Sequence, residues 1–126
     1  MFHELPFAKI IVLEKDIAEV IINEGIEMTA GMVNEYHEFL LKHLQAPFSL
    51  LINKVNSYTY DFDAQLNIAN LKQINVMAVV AYNRAAKAST ESMMNAIPRE
   101  TPWKLQIFTT RDQALAWVVS EQIKIR

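Results

Sequence analysis

The segment Asn56-Ser57-Tyr58-Thr59-Tyr60-Asp61-Phe62-Asp63 packs four hydroxyls, one amide and two carboxylates into eight residues. Such groups can do three kinds of work. A carboxylate pair can divide the roles of general acid and general base. A serine or threonine hydroxyl can carry a phosphoryl group. Hydroxyls and amides together can hydrogen-bond a polar ligand. A structural explanation competes with all three, because helix caps and turns select Asp, Asn, Ser and Thr for their side-chain oxygens. Asp61 and Asp63 stand directly before an apolar helical stretch, and a cap role accounts for them without catalysis.

The other reactive types are sparse. The histidines are His3, His37 and His43. Zinc sites need paired spacings such as H-E-x-x-H, which put two ligands on one helix face. His37 and His43 are six apart and fall on different faces, so no metal site is expected. Serine, histidine and aspartate all occur, but without G-x-S-x-G or another nucleophile signature. The chain has no cysteine and only two glycines, Gly25 and Gly31. That removes disulfides and thiol chemistry. It also removes glycine-rich phosphate loops, which need several glycines for close backbone approach. No cofactor is expected. Catalysis would gain support only from a pocket that brings Asp61, Arg84 and His37 together.

Composition sets further limits. The 126 residues are 52% hydrophobic and 21% charged, enough apolar mass for one domain with a real core. The net charge of −2 argues against non-specific nucleic-acid binding. It is unevenly spread: residues 1–63 hold four basic and ten acidic groups, and residues 64–126 hold eight and four. No apolar run reaches the length of a membrane span. The first sixteen residues lack the basic lead and cleavage site of a secretory leader, so a cytoplasmic setting is expected.

Elements that would position these residues follow from periodicity. Two apolar runs, 7–13 and 17–22, flank a short charged turn and read as an antiparallel hairpin. Thr29 is placed to cap a helix reaching about Leu44, with Val33, His37, Leu40, Leu41 and Leu44 on its apolar face. A nearly continuous apolar run from Phe48 to Asn53 suits a strand buried on both faces. Asp61 or Asp63 then caps a short helix. A fourth strand covers Val76 to Tyr82 and a helix runs from Arg84 to about Ile97, closed by Pro98 and Pro102. A fifth strand covers Lys104 to Phe108. Thr110 with Gln113 resembles a capping box that opens the last helix. The order β-β-α-β-α-β-α-β-α predicts one α/β domain over residues 1–126. Its five-stranded sheet is mixed, an N-terminal antiparallel hairpin followed by parallel strands three to five.

The closing segment "KLQIFTTRDQALAWV" resembles the last strand-helix unit of the SpoIIAA-like, or STAS-like, small bacterial proteins. The match falls on Phe108, Thr109, Ala114, Leu115, Ala116, Trp117 and Val118. "GIEMTAGMVNEYHEFL" resembles the family's first helix, and "VMAVVAYNRAAK" its fourth strand with the helix that follows. The resemblance covers residues 8–120 in element order and implies an STAS-like sheet with helices. Members include anti-sigma-factor antagonists and transporter-tail regulatory domains. In the antagonists an Asp-Ser-Ser-Gly loop after the third strand carries a phosphorylated serine. Here that place falls at "TYDFD", with no serine or glycine, so the resemblance implies the small uncharacterised branch without the usual switch.

These readings give a non-catalytic regulatory or protein-interaction module, homodimeric, with a regulatory protein as further partner. The alternative is a small-ligand or lipid-binding protein. In open α/β sheets, ligands sit beyond the carboxyl ends of the strands. The candidate ligand residues on that edge are Ser57, Thr59, Asp61, Asn83, Arg84 and Thr109. The candidate interface is the apolar cluster Met93, Met94, Ile97 and Trp103, residue types favoured at binding surfaces. With Arg99 and Lys104 nearby, that segment also suits contact with an anionic membrane surface.

Overall fold

The computed structural model describes residues 2–68, 70–96 and 104–126, the side chains of 93–96 excepted. Eight strands and four helices follow in order: β1 (Phe2–Leu5), β2 (Ala8–Glu14), β3 (Ile17–Ile22), β4 (Glu27–Met28), α1 (Ala30–His43), β5 (Phe48–Lys54), β6 (Thr59–Tyr60), α2 (Phe62–Asn67), β7 (Ile74–Ala81), α3 (Arg84–Ala96), β8 (Lys104–Phe108) and α4 (Arg111–Ile123). The main sheet runs β1-β2-β3-β5-β7-β8. β1, β2 and β3 pair antiparallel, and β3, β5, β7 and β8 pair parallel.

The five expected strands are therefore present in the expected sense, and a sixth, β1, lies on the edge beside β2. Its pattern is weak because Phe2–Leu5 is short and only half-buried. His3 is a ring contact there: it meets Phe39 at 4.9 Å and His43 at 4.9 Å, and Phe39 stacks on His43 at 4.3 Å. These rings tie the edge strand to α1.

Strand alternation sorts the side chains into two layers. On one face Ala18, Val20, Leu50, Ile52, Met77 and Val79 pack with Val33, Tyr36 and Leu40 of α1 and Ala64 of α2. On the other, Ile17, Leu51, Ala78 and Val80 pack with Ala114 and Val118 of α4. β5 is buried on both faces along nearly its whole length, as its continuous apolar run requires. Phe48, Leu50 and Leu51 are fully buried; each such side chain contributes about 1.5–3 kcal/mol by leaving water.

The helix starts are those the sequence marks. Thr29 accepts from the Met32 N–H at 3.3 Å, Asp61 from Ala64 at 2.8 Å and Thr110 from Gln113 at 3.3 Å. The α1 stripe differs from expectation. Tyr36 is buried in the core, whereas Leu41 is 44% exposed. The 3.6-residue repeat rotates Leu41 away from the sheet while Val33, Tyr36 and Leu40 stay on one line.

Ile97 and Trp103, with the side chains of Met93 and Met94, lie outside the described residues. So does the apolar surface expected there for a dimer or a lipid. No helix among the described residues is long and apolar enough to cross a membrane.

Candidate functional site

At the carboxyl end of β5 the chain enters residues 55–60, and this segment is pinned to the one after β3. Gly25 stands at φ +77°, a left-handed conformation that glycine adopts without strain. Its N–H donates to the Ser57 carbonyl at 2.8 Å. The Glu24 carboxylate accepts from the Ser57 N–H at 2.6 Å. Asn56 donates to the Ile22 carbonyl at 3.0 Å. Further along, Glu27 and Met28 pair in parallel with Thr59 and Tyr60, making the two-stranded β4·β6 ladder. The hydroxyl-rich segment is thus stitched at both ends before any ligand arrives.

Between this segment and α3 runs a groove. Two hollows, about 260 and 350 Å³, share Lys54, Tyr58 and Ser89 in their walls. Val55, Asn56, Ser57, Asn83, Ala85 and Ala86 complete the first. Thr59, Tyr60, Gln65 and Ser92 complete the second. The groove lies beyond the ends of β5 and β7, where open parallel sheets bind ligands. At its rim Asn83 caps α3, its side-chain oxygen accepting from the Ala86 N–H at 2.8 Å.

Lys54 is the charge in this groove. It ends β5, half-buried, and its ammonium lies 5.4 Å from the Tyr58 ring centroid, within cation–π range. It makes no ion pair among the described residues. Burial alone pushes its pKa below the usual lysine value. Among the described residues, the walls of both hollows contain no acidic side chain. Beneath the groove, the hydroxyls of Tyr58 and Tyr36 are buried, and Tyr60 hydrogen-bonds the Tyr58 side chain. Burial raises the pKa of both, so both stay protonated donors. Tyr60 meets Tyr58 edge-on at 5.6 Å.

Of the expected ligand residues, Ser57, Thr59 and Asn83 stand in the groove wall. Asp61, Arg84 and Thr109 do not line it. Asp61 is occupied as the α2 cap, Arg84 projects into solvent from the first turn of α3, and Thr109 sits at the exposed end of β8. His37 is also outside the walls, so neither hollow gathers Asp61, Arg84 and His37. Among the described residues no three metal-ligating side chains come together. Sequence reasoning placed Tyr58 on this edge and missed Lys54, Gln65 and Ser89. One signal was there: a lysine at the end of an otherwise apolar, doubly buried strand.

The fold and groove define the class, an α/β protein with a SpoIIAA-like fold. A crystal structure of an uncharacterised DUF3478-family protein with a SpoIIAA-like fold, from Shewanella loihica, matches with a TM-score of 0.58 at 15% sequence identity, covering 88% of this chain and 91% of that one. No family model matches the sequence, and no curated protein matches it.

Proposed function

We propose that the chain is a non-catalytic SpoIIAA-like module that takes a small polar ligand in the groove between residues 54–60 and α3, with a regulatory output in a cytoplasmic setting. The observation that carries this reading is the groove itself, walled by amides and hydroxyls on a segment that the 22–28 backbone already holds in place. Preorganisation of this kind reduces the ordering cost of binding. Among the described residues the walls hold no acid–base pair, and Asp61 is engaged as a helix cap. A serine phospho-switch is not part of the reading: Thr59 and Tyr60 form β6 where relatives would carry the serine.

Amide chemical-shift mapping with a set of small neutral and charged compounds tests it. Saturable shifts confined to residues 54–60 and 83–92 are expected. Shifts that are absent or scattered over the surface would overturn it.

A second reading, action through a homodimer or a regulatory protein partner, is favoured by exposed apolar side chains near the same end. Val55 is 59% exposed, Tyr82 49%, Phe62 70% and Leu66 43%. Light scattering at micromolar concentration would support a dimer at twice the 14.5 kDa chain mass and exclude it at the single-chain mass.

A further inference from the structure

We propose that the groove is built for an anion, a carboxylate or phosphate group of a small organic molecule seated against the Lys54 ammonium. The inference rests on the reading of the groove as a binding site and names the chemistry of its ligand.

The argument begins with charge. Residues 1–63 carry ten acidic groups, yet none of them is among the described residues of the groove walls. Several other cations in this fold have carboxylate partners, the partly covered Arg111 and Arg126 and the exposed Lys104 and Lys124. Arg111 meets Glu19, Arg126 meets Asp16, and Lys104 and Lys124 both meet Glu121. A desolvated cation without a counter-charge is costly, and a structure retains it where a ligand supplies the charge.

The surrounding groups extend the same preference. An oxyanion accepts hydrogen bonds, and the walls offer donors: the Ser57 and Ser89 hydroxyls, and the second N–H of the Asn56 and Gln65 amides, whose first is given to the Ile22 and Tyr60 carbonyls. The first turn of α3 adds the positive end of a 13-residue helix at Ala85. The Tyr58 and Tyr60 rings and Val55 give an organic body apolar surface beside that charge. The combined space of the two hollows suits a ligand of small-metabolite size rather than a polymer.

Benzoate, phenyl phosphate and the neutral isostere benzamide separate the possibilities, with amide shifts of the full chain as readout. At least one of the two anions should give saturable shifts at residues 54–58 and 85–89, with benzamide at least tenfold weaker. Whichever anion binds more tightly identifies the headgroup as carboxylate or phosphate. Lys54→Met should weaken the anion at least tenfold while spectra outside the groove stay unchanged. Lys54→Gln serves if the first variant fails to fold. Equal affinity for benzamide and the anions would overturn the anion inference and leave the polar-ligand reading standing. Wild-type affinity in the folded Lys54 variants would overturn it likewise. No groove shift with any of the three would overturn both.

Discussion

Asn53 and Lys54 are consecutive residues at the end of β5, and strand alternation sends them to opposite faces of the sheet. Asn53 enters a closed polar network. It donates to Glu19 at 2.9 Å and accepts from the Tyr82 hydroxyl at 2.8 Å. Glu19, only 3% exposed on its side chain, also accepts a two-pronged set of bonds from Arg111 at 2.8–3.1 Å. Burial pushes the Glu19 carboxyl up, and the Arg111 and Asn53 hydrogen bonds with the Arg111 charge outweigh it, holding the pKa below the usual value. Lys54, one residue later, has the Tyr58 ring beneath it and no carboxylate partner among the described residues. The first arrangement fastens α4 to the sheet. The second leaves charge and donor capacity open, and buried polar groups that the fold does not satisfy point to something it binds.

The same closure recurs at the opposite end of the sheet. Gln122, fully buried, accepts from Ser49 and Asn75 and donates to Asp16 and the Pro47 carbonyl. Arg126 bridges Asp16 and Glu14. The Arg126 hydrogen bond, helped by Gln122, holds Asp16 below the usual carboxylate range despite burial. The hollow beside these groups is lined by the Arg126–Asp16 pair and by Lys15, which is exposed to solvent where Lys54 is half-buried.

The largest effect expected is at the closed network. Arg111→Met leaves Glu19 buried without its counter-charge. With Arg111 itself 38% exposed, the loss should be about 2–3 kcal/mol, below the full cost of breaking a deeply buried pair. Urea unfolding at pH 7 measures it, and a loss under about 1 kcal/mol would dissolve the contrast with Lys54.

The next effect is on pH dependence. Burial lowers the His37 pKa to about 4 from an ordinary 6.5. The unfolded chain therefore binds more protons between those values, and stability falls as pH drops from 6.5 toward 4. His37 should contribute about 2 kcal/mol of that loss after allowance for its partial exposure. His37→Gln should flatten the stability profile across this window, and an unchanged profile would assign the acid sensitivity elsewhere.

A smaller effect separates caps from ligands. Asp61→Ala removes the α2 cap and should cost about 1 kcal/mol, read as a shift in the urea midpoint. Groove binding should be unaffected, because Asp61 stands outside the walls; lost binding would make it a ligand after all.

Much of the fold was legible in the sequence because its signals are local. The apolar runs, Thr29, Asp61 and Thr110 mark the strand and helix starts without help from the rest of the chain. The edge strand β1 and the β4·β6 ladder were not legible, since two or four residues carry too little periodicity and both depend on distant partners. The site was legible by position and less so by residue. The carboxyl-end rule placed Ser57, Thr59 and Asn83 in the wall. It could not tell that Asp61 was already used, or that Lys54 had no partner, because both facts arise from contacts across the fold.

Lys54→Met is the most direct test of the central claim, that Lys54 is a charge the fold does not need. The substitution keeps an unbranched apolar stem and removes only the ammonium. Unfolding in urea at pH 7, without added anion, should show stability unchanged or raised by up to about 1 kcal/mol, as the desolvation cost of an unpaired cation is relieved. A loss of about 2 kcal/mol or more, comparable with Arg111→Met, would show that Lys54 is a structural partner like Glu19 and would contradict the account.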